Sequence, residues 1–316
     1  MGARLDDREN AAKSILRDSI PFLGLVIVCI YFQIATKGKL ISQSNIKAFS
    51  NFAFQMVIPA CGAVFLMSQG ELDYSMSGNI CICAVFAAMA SHIHPALAIV
   101  VALLCGTLIG WINGTVTVRF GLHSFIATLA ASFMYDGLAS VLLGGGSITA
   151  NYDLKKADTL GLKYGIIISF LIATWIVLSY TPFGKHCRAI GAKKEVASQS
   201  GVNVKKEQMA AFLICGFSCG VMACFTLIRT CSASTVSGGM TQLNTILALL
   251  LGGVPFSGGW SSKFRCVLIG SMLMAVVVSG LTLMNIPPNT QQVIKGILFV
   301  IAVAISFDRK NTAVIK

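Results

Sequence analysis

The chain has 316 residues, of which 55% are hydrophobic and 11% charged, and its mean hydropathy is +0.79. Soluble domains carry about 25% charged residues, so too little charge is present to cover a water-facing surface. That excludes a soluble enzyme, a disordered chain, a disulfide scaffold and an ordinary nucleic-acid binder. The formal charge of +12 sits in loops and tails between apolar runs, where basic residues set topology and meet anionic headgroups.

Arg4, Arg8, Lys13 and Arg17 precede the first apolar run, 20–35. No small-x-small cleavage site follows it, so the sequence predicts an uncleaved span, with residues 10–19 as a short amphipathic helix on the membrane surface. Runs near the length of about 20 residues needed to span follow at 51–69, 95–118, 122–143, 164–180, 209–228, 266–284 and 291–306. Two shorter runs, 78–91 and 242–254, each adjoin a glycine- and serine-containing break. Together they make ten expected segments. With the N-terminus inside, the inner segments hold sixteen basic residues and the outer loops seven, which predicts both termini in the cytoplasm.

The two breaks, Gly70-Glu71-Leu72-Asp73-Tyr74-Ser75 and Gly252-Gly253-Val254-Pro255-Phe256-Ser257, share the pattern Gly-x-aliphatic-x-aromatic-Ser at a separation of 182 residues. Short glycine-interrupted spans in corresponding halves point to a transporter's pathway, and the expected topology puts both breaks on one side. The longest inner loop, 181–208, carries Lys185, Arg188, Lys193, Lys194, Lys205 and Lys206. Its middle, 193–200, favours a short helix ending at Gly201. By composition alone, a solvated basic loop that fixes orientation explains it as well. The eleven cysteines lie mostly in apolar runs without a CxxC pair or zinc spacing, which reads as small buried hydrophobes. His92 and His94 form a poor metal signature. Lys295 and Arg229, near run ends, are expected to snorkel to the interface.

Five stretches carry a resemblance: GELDYSMSGNI (70–80), SFIATLAASFMYDGLASVLLGG (124–145), FGKHCRAIGAKKEVASQSGVNV (183–204), SGGMTQLNTILALLLGGVPFSGG (237–259) and IPPNTQQVIKGILFVIAVAIS (286–306). In this order they resemble the ribose-type permease subunits of bacterial ABC importers, grouped with the branched-chain amino acid permeases. The resemblance implies an all-α polytopic permease of about ten helices in the bacterial cytoplasmic membrane, forming one transmembrane domain over 1–316. It also implies the partners: a separate ATP-binding subunit, an extracytoplasmic solute-binding protein, and a second permease copy or paralogue, all within membrane lipid. The 183–204 block is similar to the family's ATPase-coupling segment. Carried onto this sequence, that segment comprises Gly184, Arg188, Ala189, Gly191, Ala192, Glu195, Ser200 and Gly201. Gly184 and Gly191 are expected to allow tight turns, the alanines to give small docking surfaces, and Arg188 and Glu195 to make polar contacts with the ATPase.

No GxxxxGK[ST] phosphate loop occurs, so ATP and Mg belong to the partner subunit and this chain is a transporter subunit with no cofactor of its own. A monosaccharide is neutral and dense in hydroxyls, and its path needs amide and hydroxyl partners with some apolar wall. Gln55, Asn79, Asn113, Thr128, Gln242, Asn244, Gln291 and Gln292 offer the polar groups, and Phe125 a wall, although each also suits interhelical packing. Asp136 departs from the family pattern, which often has a basic residue there. An acid at mid-span costs about 2.5–3.5 kcal/mol, so it should face protein, water, the path or a dimer contact. Gln242 and Asn244 stand where an acid is common.

The expected task is uptake of a ribose-like sugar. The same machinery with a nucleoside, a furanosyl signalling molecule or a branched-chain amino acid is the alternative. An ion-coupled carrier would need more intramembrane ionisable residues than Asp136, and a membrane enzyme would need a convergent reactive cluster.

Overall fold

The structure is a computed structural model that describes residues 21–306. The surface helix expected at 10–19 and the tail 307–316 lie outside those residues. Twelve helices follow one another among the described residues: α1 (Pro21–Ala35), α2 (Ile46–Ser68), α3 (Met76–Ser91), α4 (Pro95–Gly114), α5 (Ser124–Leu143), α6 (Leu160–Tyr180), α7 (Pro182–Ala192), α8 (Lys194–Gln199), α9 (Val204–Thr230), α10 (Thr241–Leu251), α11 (Phe264–Leu283) and α12 (Pro288–Ser306). Each of the ten apolar runs coincides with a helix. The chain is an all-α polytopic membrane protein.

Six helical stretches, containing α2, α4, α5, α6, α9 and α11, are long and apolar enough to cross a membrane. Pro21–Ala35, α3 and α10 are apolar but shorter. Burial sorts the six into two layers. The most apolar windows of α2, α9 and α11 are 72–78% buried, whereas those of α4, α5 and α6 are 17–28% buried. The second group therefore presents most of its apolar side chains outward, as helices bathed in lipid do.

Apolar side chains alone give no reason for helices to associate in lipid, so close backbone packing has to supply it. Between α4 and α9 it comes from glycines four residues apart, Gly106 and Gly110 on one helix and Gly216 and Gly220 on the other. A Cβ on Gly106 would lie 2.6 Å from the Gly216 carbonyl oxygen, and one on Gly216 would lie 2.8 Å from the Gly110 Cα. No side chain larger than hydrogen fits either position without moving a helix.

Contacts between connections divide the bundle into two ends. At one, the strands Ser147–Thr149 (β1) and Ser232–Ser234 (β2) pair antiparallel with Ile148 opposite Ala233, and His92 Nε2 lies 2.8 Å from the Thr149 carbonyl. This is the ribbon end, and all these loops belong to the expected outer set. At the other end the two glycine breaks touch: a Cβ on Gly70 would lie 2.9 Å from the Ser257 carbonyl oxygen. This is the break end, where the expected inner loops 181–208 and 255–265 also converge.

Lys163, expected in a loop, instead lies in the first turn of α6, 3% exposed. Its ammonium lies 2.5 Å from Asp158 Oδ1 and donates to Asn51 Oδ1 at 2.6 Å, tying α6 to α2. It also sits 5.6 Å over the Phe225 ring of α9. Helix α6 starts earlier than hydropathy predicts because this pair neutralises the lysine. Burial alone would raise the Asp158 pKa, but the ammonium groups of Lys163 and Lys155 outweigh it and hold the carboxyl below its ordinary value.

A depressed carboxylate pKa stabilises the fold above the unfolded-state value and loses that contribution as pH falls through the folded one. Lys163→Met, which leaves the carboxylate only the more distant Lys155 as counter-charge, is expected to destabilise by about 2 kcal/mol. The double variant with Asp158→Asn should recover most of the loss. Thermal unfolding in detergent at neutral pH checks both, and a double variant no better than the single one contradicts the account.

Candidate functional site

The segment 181–208 is a designed-looking sequence of caps and short helices. Thr181 caps α7 by accepting from the Gly184 N–H, with Pro182 in the first turn, where a missing N–H costs nothing. Helix α8 ends as the sequence predicts. Gly201 takes φ +86°, its N–H donates to the Ser198 carbonyl at 3.0 Å, and Val202 N–H donates to Ala197 at 3.1 Å. Those two bonds satisfy otherwise orphaned carbonyls in a Schellman closure. Asn203 then caps α9 through the Lys206 N–H at 3.1 Å.

Helix α7 was expected as turns, and the reason for the difference is packing. Gly184 and Gly191 are helical, and each is glycine because a backbone carbonyl presses on it. A Cβ at Gly184 would collide with the Leu178 carbonyl of α6, and one at Gly191 with the Ser68 carbonyl that ends α2. The same Ser68 carbonyl accepts the Gly259 N–H at 2.9 Å. A Cβ on Gly258, at φ +76°, would lie 2.6 Å from the Gly70 nitrogen. Three chain segments thus meet at one carbonyl: the end of α2, the end of α7 and the 252–263 loop.

Polar side chains surround the junction. Gln69 donates from Nε2 to Cys187 Sγ at 3.1 Å and to the Glu207 carbonyl at 3.3 Å. His186 Nδ1 lies 2.8 Å from Glu207 Oε1, and Gln208 donates to Glu71 Oε1 at 2.8 Å. Arg188, expected to reach the ATPase, is used within the chain. Its Nη2 donates to the Leu178 carbonyl at 3.1 Å, its Nε donates to Gly184 at 3.3 Å, and its guanidinium lies 5.5 Å from the centre of the Trp260 ring. Ala197 is buried and Ala189 half-buried, whereas Ala192, Glu195, Val196 and Ser200 are exposed. The free face of the unit is therefore α8 and the end of α7. Beside it, a cavity of about 1160 Å³ opens between α8 and the α4–α5 connection, with Arg119, Lys194 and Lys205 among its lining and Glu71 at its wall.

The expected path residues separate into two groups. Asn79 is fully buried, donating to the Gly106 carbonyl at 3.5 Å and accepting from Cys83. Thr128 is fully buried, and its hydroxyl oxygen accepts the Tyr74 N–H at 2.9 Å. With Ser124, which accepts from Leu72 N–H at 3.3 Å, it supports the first break. Gln291 donates to the Ile286 carbonyl at 2.9 Å and so holds the turn before α12. Phe125 meets Tyr74 edge-to-face at 4.8 Å. Asp136 is half-buried on α5, with the Ser132 hydroxyl at 3.4 Å. Gln55 and Asn244 line one cavity together, of about 360 Å³ at the ribbon end. Gln242 stands beside Asn244's turn with its buried Oε1 unpartnered among the described residues.

Two features escaped the sequence reading. Asp73, counted in an inner loop, is 4% exposed and accepts from Ser75 N–H and Oγ at 2.8 and 2.6 Å. Asn113 then bridges Ser75 and Tyr135 at 2.6 and 2.9 Å, so the first break is wired to α4 and α5. The Asp-x-Ser spacing was the available signal, since it favours a local side-chain turn. The second is Arg229, which lines the same cavity as Gln55 and Asn244.

Residues 45–303 match the family described as branched-chain amino acid transport system / permease component. The chain belongs to this permease family. It is 30% identical over 303 residues to the ribose import permease protein of Bacillus subtilis, covering 93% of each chain. It is 27% identical to the fructose import permease protein of Rhizobium meliloti, over 91% of this chain and 84% of that one. For the L-arabinose ABC transporter permease protein of Azospirillum brasilense the identity is 28%, over 78% and 75%. No solved structure matches the chain. The permease is thus a multi-pass protein of the bacterial inner membrane and a transporter subunit, not an enzyme.

Burial pushes the Cys187 thiol up to about 12, which leaves ~0.01% thiolate at pH 8. Maleimide is expected to spare Cys187 in the wild type and to label it in Gly191→Val, which forces α7 off the Ser68 carbonyl. Peptide mass spectrometry reads the difference, and equal labelling contradicts the packing role of Gly191.

Proposed function

We propose that the chain is the membrane subunit of an ATP-driven importer of a monosaccharide, a single permease domain working as a pair with a second copy or a paralogue. A separate ATP-binding subunit, carrying ATP and Mg, docks on the break end, and a solute-binding protein delivers sugar to the ribbon end. The observation that carries this reading is near full-length similarity to permeases named for ribose and fructose import. The basic-residue asymmetry orients the break end inward. The exposed face of α8 then lies in the cytoplasm, where an ATPase can grip it, and 181–208 acts as the coupling loop.

Mechanically, α8 is a lever on a stiff mount. Its Schellman closure fixes it to α9, and α7 presses its last turn onto the Ser68 carbonyl. A displacement imposed on α8 therefore reaches the end of α2 and the first break, rather than being absorbed by loop motion. A rigid mount of this kind passes a small shift at one site on to the elements packed against it.

Reconstituting the permease with its cognate ATPase and binding protein in proteoliposomes tests the assignment. ATP-dependent uptake is expected for at least one of ribose, fructose, L-arabinose and D-allose, with no response to a proton gradient alone. Gradient-driven uptake by the chain without an ATPase, or ATP-driven uptake of branched-chain amino acids only, overturns it.

A further inference from the structure

The ribbon-end cavity is built from three elements and a strap. Helix α2 contributes Gln55, the last turn of α9 contributes Arg229 and Thr230, and the first turn of α10 contributes Asn244. The strap, residues 232–240, closes one side and is held rigidly. A Cβ at Gly238 would collide with the Ser77 carbonyl of α3, and the Cys81 thiol donates to the Ser234 carbonyl at 3.3 Å. Pairing of β2 with β1 fixes its start. The cavity, about 360 Å³, is at the small end of the range for ligand pockets, about 300–1,000 Å³.

Its polar groups are of two kinds. Three hydroxyls already donate to backbone: Thr226 to Met222, Thr230 to Ser232 and Thr241 to Gly238. Each keeps lone pairs and can still accept. Gln55, Arg229 and Asn244 are half-buried, and among the described residues their side chains have neither a hydrogen-bond nor an ion-pair partner. Their donors are therefore free for a polar occupant of the cavity they line together. Met56, Met222 and Met240 supply apolar patches in the same wall.

We propose that this cavity is a monosaccharide subsite within the single permease chain, with Gln55, Arg229 and Asn244 donating to the sugar and the hydroxyls of Thr226, Thr230 and Thr241 accepting from it. The inference rests on the sugar-importer reading above and adds where the solute is held. A sugar ring has this same mixture, hydroxyls around its edge and C–H groups on its faces, so donors, acceptors and thioethers all find partners. The guanidinium's fork suits two adjacent hydroxyls. The lining contains no Asp or Glu, so a zwitterionic amino acid would leave its ammonium without a counter-charge.

The test uses the complete importer in proteoliposomes, with uptake and ATP hydrolysis measured together. Gln55→Ala and Asn244→Ala are each expected to lower uptake of the transported sugar at least tenfold. Binding-protein-stimulated hydrolysis should stay within twofold of wild type, a futile cycle. Asn244→Gln, which restores an amide, should recover part of the uptake. Unchanged uptake overturns the subsite, and so does a parallel fall of uptake and hydrolysis, which would mean an assembly role. Saturation-transfer NMR on the permease alone in nanodiscs, with ribose, fructose, L-arabinose and D-allose as probes, is independent of assembly. Transfer to sugar C–H protons is expected in the wild type and not in the Gln55→Ala/Asn244→Ala double variant. Equal transfer in both overturns the proposal. Wild-type liposomes that take up none of the four sugars speak against the importer reading itself, whereas wild-type uptake with indifferent variants speaks against the subsite alone.

Discussion

One backbone carbonyl, that of Ser68, organises the working end of this permease. It ends α2, accepts the Gly259 N–H and lies where a side chain on Gly191 would have to go. Helix α2 is among the most buried helices of the bundle, so a group fixed to its end is fixed to the core. The proposed coupling unit α7–α8 touches that end through Gly191. The second break touches it through Gly258 and Gly259. Replacing Gly191 or Gly258 with a larger residue would push these elements apart, because the opposing atoms are backbone and cannot rotate away.

The rest of the molecule serves as a frame for this junction. The glycine stripes of α4 and α9 allow helix–helix contact close enough to be favourable in lipid. The Asp73–Ser75–Asn113–Tyr135 chain of hydrogen bonds secures the first break against α4 and α5. At the opposite end the Asp158–Lys163 pair ties α6 to the connection before it, and the β1–β2 ribbon fixes the start of the strap that walls the ribbon-end cavity. Several polar residues inside the bundle, Asn113, Ser124, Thr128 and Gln291 among them, hold its non-helical segments.

Much of this was legible in the sequence, for reasons that differ by residue. Hydropathy located all ten apolar helices, since apolar length is a property of the local chain. The α8 stop at Gly201 was legible because a left-handed cap is a local requirement that glycine meets. The contact between the two breaks was foreshadowed by their shared pattern, though the pattern itself says nothing of distance. Helix α7 was not legible: Gly184 and Gly191 depress helix propensity, and only the carbonyls of Leu178 and Ser68, distant in sequence or folded back, explain them. Arg188 looked like an interface residue because nothing local reveals that Leu178 and Trp260 will occupy it. Asn79, Thr128 and Gln291 looked like path residues for the same reason, and each proves to bond backbone. Arg229 looked like a snorkelling cation because the residues it shares a cavity with, Gln55 and Asn244, come from other helices.

The central claim is that α8 carries force between the ATPase and the Ser68 junction. Replacing Val196, exposed on α8, with a photo-crosslinking amino acid in the assembled importer tests it most directly. The account predicts an adduct with the ATP-binding subunit whose yield changes when ATP is trapped in the complex. Adducts confined to lipid or to the solute-binding protein would place α8 away from the ATPase and contradict it.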